Sequence, residues 1–354
     1  MAIARIDEFL EQLKAWECLP RKKVTRVNTI AVQERMSKLK LLCNQELDYL
    51  RNVLGIQTIY SDQGYPCGIK GDARRLKTQV STYRKAIRSL EVNSTNSNRK
   101  INKYGEETFE HLALRYFNLA KHEKNDVNTR DRRRVTQDKT NRHSFDAVAV
   151  IEQARDLLES NSYISKVAGL YLLTGRRHEE ILITGKFDEP FYDTANESLI
   201  SEWLELDIES ALFSGQVKRK SKLDIPYNIP LLAPLNVIQD VILWLRINKP
   251  HKPGQRPKGS KELGEKVRTI FQDSKLLPIP SGKDVYLNPH NLRSAYSAIC
   301  WQLYRRSEAT YNCTEDLFVK EIMGHTEETT QSAQSYLDYE LNNSEVEKLL
   351  NYYG

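Results

Sequence analysis

The sequence predicts a mainly helical chain with one small β-hairpin or sheet, an α+β arrangement spread over two domains. Apolar residues recur at helical spacing through most of the chain, and two short β-rich runs flank a Lys/Arg-rich turn. Between the two domains the apolar pattern breaks across residues 123–143. At 354 residues the chain exceeds the usual single-domain size, and 40% hydrophobic residues are enough for a core in each half. We expect a helical N-terminal domain over 1–122, a basic linker over 123–143 and a compact domain over 144–354.

Met1 to Leu19 mixes apolar residues with Asp7, Glu8, Glu11 and Lys14 at helical spacing, unlike the apolar stretch of a secretion signal. Ile30 to Leu54 follows the helical period, and Asp72 to Val92 repeats it with Leu76, Val80, Tyr83, Ile87 and Leu90 on one side. A polar stretch, Ser94 to Lys103, precedes an expected helix from Glu106 to about Lys121. His122 to His143 is almost devoid of apolar residues and holds Arg130, Arg132, Arg133, Arg134, Lys139 and Arg142, the composition of an interdomain linker. Ser144 can cap a helix running to about Glu159, and Ser165 can start a second through Leu173 that ends at Thr174-Gly175. Ala211 to Val217 and Tyr227 to Leu231 are strand candidates forming a hairpin. Helices are expected at Asn236 to Arg246, Leu263 to Phe271, Asn291 to Arg305 and Leu317 to Met323. Lys249 to Ser260, with three prolines and two glycines, reads as a loop.

Lys and Arg exceed Asp and Glu by 53 to 47, for a formal charge of +6, and the placement of that charge says more than its size. Dense runs occur at Arg21-Lys22-Lys23, Arg74-Arg75 with Lys77, Arg130 to Arg134, and Lys218-Arg219-Lys220, on both halves of the chain. Such clusters attract phosphate backbones. On the 72–92 helix the polar face carries Arg74, Arg75, Lys77, Arg84, Lys85 and Arg88 with few acidic partners one turn away, which suits a helix laid against DNA. Five cysteines without CxxC or Cys/His spacing argue against a disulfide framework or a zinc site. No apolar run approaches the length of a membrane span. We expect a soluble cytoplasmic protein that binds double-stranded DNA and uses no metal or other cofactor.

Four stretches carry candidate chemistry. Thr174-Gly175-Arg176-Arg177-His178-Glu179-Glu180 sets an arginine after a helix-breaking glycine, with Glu180 one turn on to hold the Arg177 guanidinium. Phe213-Ser214-Gly215-Gln216-Val217-Lys218 puts a lysine at a hairpin end, with Lys220 beyond it. His290-Asn291-Leu292-Arg293 projects a histidine and an arginine together. Met323-Gly324-His325 is followed by Tyr336-Leu337-Asp338-Tyr339. Each alone reads as a surface ion pair, a solvated lysine or a chance pattern.

Their order, Arg, Lys, His-x-x-Arg, Gly-His and Tyr, resembles the catalytic set of the tyrosine recombinases. The resemblance runs from Ser144 to about Tyr339 and carries over to Arg177, Lys218, His290, Arg293, His325 and Tyr336, with Glu180 in support. It implies a tyrosine recombinase-like catalytic domain behind a helical N-terminal DNA-binding domain. Within that superfamily the Thr-Gly-Arg-Arg run and the Phe-Ser-Gly-Gln-x-Lys hairpin leading to Ile229-Pro230-Leu231 look most like the telomere resolvases. So does the interval of eleven residues from His325 to Tyr336, longer than in many integrases. That interval leaves Tyr339 as the reserve nucleophile. His290 departs toward the integrase pattern.

The resemblance implies cleavage through a 3′-phosphotyrosine. A phenol of pKa about 10 needs cationic surroundings to attack phosphorus, and two arginines supply them while gripping the non-bridging oxygens. Lys218 would protonate the leaving 5′ oxygen. His290 and His325 would share the orientation of the tyrosine and a hydrogen bond to the phosphate, in either assignment. A resolvase would act as a homodimer on a palindromic site and close each end as a hairpin. An integrase would instead exchange strands between two duplexes, and a non-catalytic DNA-binding protein would leave Tyr336 inert. Leu341, Val346, Leu349 and Leu350 mark a last helix, for dimer contact or for packing.

Overall fold

The computed structural model describes residues 2–18, 29–94, 96–101, 107–190, 208–217, 225–251, 260–280, 285–305, 313–325 and 336–353. The chain divides into two compact units, Met1–Arg133 and Arg134–Gly354. Small antiparallel hairpins and a three-stranded sheet accompany a dominantly helical structure, as the periodicity predicts.

The first unit opens with α1 (Ala2–Glu17) and α2 (Thr29–Val53). A hairpin of β1 (Gln57–Tyr60) and β2 (Pro66–Lys70) follows, then α3 (Ala73–Arg88). Leu76, Val80, Tyr83 and Ile87 of α3 are buried against Phe9 and Leu13 of α1 and Leu39 and Cys43 of α2. The rings of Phe9, Tyr83 and Phe117 meet with centroids 5.3 to 5.8 Å apart. Where a helix was expected from Glu106, the chain forms β3 (Ser97–Ile101) and β4 (Glu107–His111), an antiparallel pair, and only then the short α4 (Ala113–Tyr116). Alternation decides this: Thr108 and Phe109 favour a strand, and the pairing sets Arg99 beside Glu107 at 2.7 Å and Lys100 beside Glu110 at 3.3 Å.

The expected linker 123–143 is mostly helical, as α5 (Lys121–Thr140). It has no apolar stripe to bury, so its start is held by charge instead. Glu123, within the first turn, accepts from the Ala120 N–H at 2.7 Å and pairs with Arg51 at 2.7 Å, and Asp126 pairs with Arg130 one turn on at 2.6 Å. The division between the units falls within this helix.

The second unit begins with β5 (His143–Ser144), α6 (Ala147–Glu159) and α7 (Tyr163–Thr174). Both helices start at residues other than the expected serines. Asp146, not Ser144, caps α6 by accepting from Ala149 N at 3.0 Å, and Ser162, not Ser165, caps α7. Ser144 lies on β5, where its Oγ accepts from Asn342 N. Every residue of α7 from Ser165 to Thr174 is buried.

A π-helical turn, Glu180–Thr184, leads to a sheet of β6 (Lys186–Asp188), β7 (Ser210–Ser214) and β8 (Tyr227–Pro230) in that order, all antiparallel. Then come α8 (Leu235–Asn248), α9 (Ser260–Val267), α10 (Pro289–Tyr304) and α11 (Glu315–Ile322). α7 packs against α6, α8, α9 and α10 and is the hub of the unit. Finally β9 (Tyr339–Glu340) pairs in parallel with β5, and α12 (Asn343–Tyr353) returns to α6. Leu349 of α12 is fully buried, and Arg155 of α6 donates to Tyr352 Oη at 2.8 Å, so the last helix packs on its own unit. Among the described residues no helix is long and apolar enough to cross a membrane.

Loss of the α6 cap is expected to be measurable. Asp146→Ala removes one N-terminal acceptor, and urea denaturation of the second unit should show a loss of about 1 kcal/mol; an unchanged midpoint would contradict the capping role.

Candidate active site

α7 ends because Gly175 adopts a left-handed conformation, φ 64°, and a Cβ there would sit 2.3 Å from the Tyr296 ring. The chain then presents its two arginines in opposite ways. Arg177 is half-buried, with Nη1 2.8 Å from Glu180 Oε1, while Glu180 Oε2 accepts from the Arg177 backbone N–H at 2.8 Å. Glu180 has no exposed surface and also accepts from Val217 N at 3.3 Å, which ties the end of the hairpin to the first arginine. Burial pushes the Glu180 carboxyl up, but Arg176, Arg293 and Arg177 outweigh it and hold the group below its ordinary range.

Arg293 reaches the same place from α10. Asn288 and Asn291 form a reciprocal cap with Pro289 in the first turn, so the helix starts at the point that aims His290 and Arg293 inward. Arg293 Nε donates to Gly175 O at 2.6 Å, and Nη1 donates to Tyr336 Oη at 2.8 Å. The Tyr336 ring lies with its centroid 4.7 Å from that of His290 and 5.6 Å from that of His325. The structure therefore brings Arg177, His290, Arg293, His325, Tyr336 and Glu180 into one site. Lys218 and Lys220 lie outside the described residues, which follow the hairpin to Val217.

His325 follows a tight turn in which Gly324 has φ 67°. Its Nε2 is buried and has no hydrogen-bond partner among the described residues. Burial, then Arg177, Arg293 and Arg176, push its pKa down to about 4, so the ring is neutral at working pH. His178 is similarly pushed down to about 4, first by burial and then by His251 and Lys249.

Tyr336 and Tyr339 are both buried, but their hydroxyls point to different partners. Away from Arg293, the Tyr339 hydroxyl donates to Pro278 O at 2.9 Å, its ring meets Phe145 edge-on, and burial pushes its pKa far up. The Tyr336 segment is held on α10 by buried polar groups that sequence reasoning did not single out. Ser297 Oγ donates to Tyr336 O at 3.1 Å, Ser294 Oγ to Asp338 Oδ2 at 3.1 Å, and Asn291 Nδ2 to Asp338 Oδ2 at 3.4 Å. Their spacing of three residues along α10 is the one signal that marks a shared face.

On the first unit, Arg74, Arg75, Lys77, Lys85 and Arg88 of α3 are exposed. Arg84 instead turns inward and donates to Leu114 O and Phe117 O at 2.8 and 2.7 Å. Arg130 is tied to Asp126 and to the carbonyls of Gly71 and Ile69. The side chains of Arg132, Arg133 and Arg134 lie outside the described residues.

The two neutral histidines couple stability to pH. An unfolded His binds a proton below its ordinary pKa of 6.5, whereas these two do so only near 4, so the unfolded state holds more protons between those values. Native stability is therefore expected to fall as pH drops from about 6.5 toward 4, and the His178→Gln, His325→Gln double variant should flatten that slope. Melting temperatures across the window decide it; a slope identical in both proteins would refute the assignment.

The family model for the telomere resolvase ResT/TelK catalytic domain matches residues 141–339, more than half of the chain. Among solved structures, a variant of protelomerase TelA covalently complexed with substrate DNA aligns at a TM-score of 0.63 and 16% identity, covering 97% of this chain and 98% of that one. Another TelA variant, complexed with DNA hairpin product, aligns at a TM-score of 0.63 and 17% identity, covering 97% of each chain. No curated protein matches. At such identities the structural likeness speaks for the fold, and the family rests on the matched catalytic domain. From that match over residues 141–339, the chain belongs to the telomere resolvases.

Proposed function

We propose that this chain cuts both strands of a replicated telomere through a 3′-phosphotyrosine on Tyr336 and rejoins each strand to its partner as a closed hairpin. The observation that carries the residue assignment is the 2.8 Å bond from Arg293 Nη1 to Tyr336 Oη. A guanidinium donating to the phenol oxygen holds the nucleophile beside a cation that can also grip the phosphate it attacks. Substrate DNA and hairpin product are what the aligned TelA structures contain, which supports the same class of substrate here.

In this reading Arg177 and the second amino group of Arg293 grip the non-bridging oxygens, where charge accumulates as the Oη–P bond forms. His325 donates from its unpartnered Nε2 to the phosphate, and His290, against the tyrosine ring, orients it and takes up its proton. As the P–O5′ bond breaks, Lys218 gives the leaving oxygen its proton. The phosphotyrosine conserves the bond energy, so the 5′ hydroxyl of the opposite strand reseals the backbone without ATP, and the residues in these roles need no metal. Two protomers on a palindrome supply the two cuts. The domain over 1–122 and the basic segment over 123–143 bind the flanking duplex, with the exposed cations of α3 on phosphates. The setting is the cytoplasm of a cell that carries the replicon.

The test is incubation in EDTA with DNA from the source replicon, then denaturation and rapid cooling. Ends that snap back to duplex with the native protein and not with Tyr336→Phe are the expected result. Tyr336→Phe should still bind DNA, and Arg177→Ala or Arg293→Ala should each slow cleavage on the order of a hundredfold or more. Tyrosine-dependent products that exchange flanking DNA without snapping back would overturn the hairpin reading.

A further inference from the structure

α3 buries one side and leaves the other to solvent. Leu76, Val80, Tyr83 and Ile87 anchor it in the core of the first unit, so the opposite face is presented rigidly. Arg74, Arg75, Lys85 and Arg88 stand exposed toward its two ends, and Thr78, Ser81 and Thr82 lie exposed between them. α1, α2 and α5 all carry Asp or Glu, and α3 carries none. The acid just before it, Asp72, caps the helix by accepting from Arg75 N at 2.9 Å.

Cations toward both ends with short side chains between them match the major groove of a DNA duplex. From Arg74 to Arg88 the helix rises about 21 Å, enough for long basic side chains to reach phosphates on both walls of a groove about 12 Å wide. The short side chains let the helix come close to the base edges. Their chemistry narrows the reading further. Thr78 Oγ1 donates to Arg74 O at 3.0 Å, and Thr82 Oγ1 donates to Thr78 O at 3.0 Å. With these protons spent on the helix, neither hydroxyl donates to a base, and each residue adds a γ-methyl to the exposed face. In the major groove an apolar group has one complementary feature to meet, the C5-methyl of thymine.

We propose that α3 is the base-reading helix of this protein and that Thr78 and Thr82 select thymine through their γ-methyl groups, while Arg74, Arg75, Lys85 and Arg88 hold the helix on phosphates. This deepens the function proposed above and rests on DNA being the substrate. One turn separates the two threonines, about 6 Å along the axis, so the thymines they select lie within about two base-pair steps of one another. The cations set affinity for any sequence, and the methyls set which sequence is preferred.

The test uses the full chain carrying Tyr336→Phe, so that binding is read without covalent trapping. Duplexes that this protein selects from a randomised pool are resynthesised with uracil for thymine at each position in turn, which removes one methyl and keeps the base pair. Uracil at one or two positions should weaken binding about fourfold each. Thr78→Ser and Thr82→Ser, which keep the hydroxyl, should weaken binding to thymine DNA by the same factor, and each should abolish the effect of uracil at one position. Thr78→Val and Thr82→Val, which keep the methyl, should bind as the native threonines do. Arg75→Ala should weaken binding to every duplex alike and reduce the slope of its salt dependence by about one. A uracil effect that persists in both serine variants, or binding that survives in them and fails in the valine variants, would overturn the inference. No uracil effect at any position, with hairpin closure intact in the native protein, would also remove it and leave the proposed function standing. A native chain that neither binds nor closes DNA would remove both.

Discussion

A carboxylate with no access to water persists only where cations and N–H groups surround it, and the catalytic unit is arranged around one such group, Glu180. The constraint works outward. Meeting it takes the backbone and guanidinium of Arg177 and the N–H of Val217, so the loop after α7 and the end of the hairpin are drawn to one point. Arg293 joins from α10 by donating to the carbonyl of Gly175, which opens the same loop two residues before Arg177, and donates to Tyr336 through another arm of its fork. The glycine that ends α7 is what makes that carbonyl available.

The balance of charge in this region suits an anion. Arg176, Arg177 and Arg293 all act on Glu180, three guanidinium groups against one carboxylate, in surroundings largely closed to water. Low polarity around fixed donors strengthens their pull on a phosphate without requiring them to move during reaction. Burial, and after it the same surplus, keeps His325 neutral, so the imidazole enters as a hydrogen-bonding group and not as a further charge.

Much of this was readable from residue order and much was not, for separate physical reasons. Amphipathic helices such as α2 and α3 announce themselves because each buries one stripe, and α10 does so by its apolar content, being buried on nearly every side. The β3–β4 hairpin does not, since five-residue strands rich in charge carry no more pattern than a short helix, and cross-strand pairing is what decides between them. The recombinase set is legible because its members sit in fixed order with local signposts, glycine before Arg177 and glutamate after it. Which of two adjacent arginines turns inward is not a local property. Arg176 goes inside because Tyr227, Ile322 and Met323, distant in the chain, wait there with acceptors. The docking of Asp338 on Ser294 likewise spans 44 positions and leaves no trace in either segment alone.

The contact between Gly324 and the Tyr227 hydroxyl leaves no volume for even a methyl group. In evolutionary terms the tyrosine is one of several locks on the glycine. A lineage that enlarges the glycine must shrink the tyrosine on β8, move Gln216 and adopt a left-handed backbone with a side chain, three changes at once. Divergent relatives should therefore keep this glycine even where the tyrosine varies.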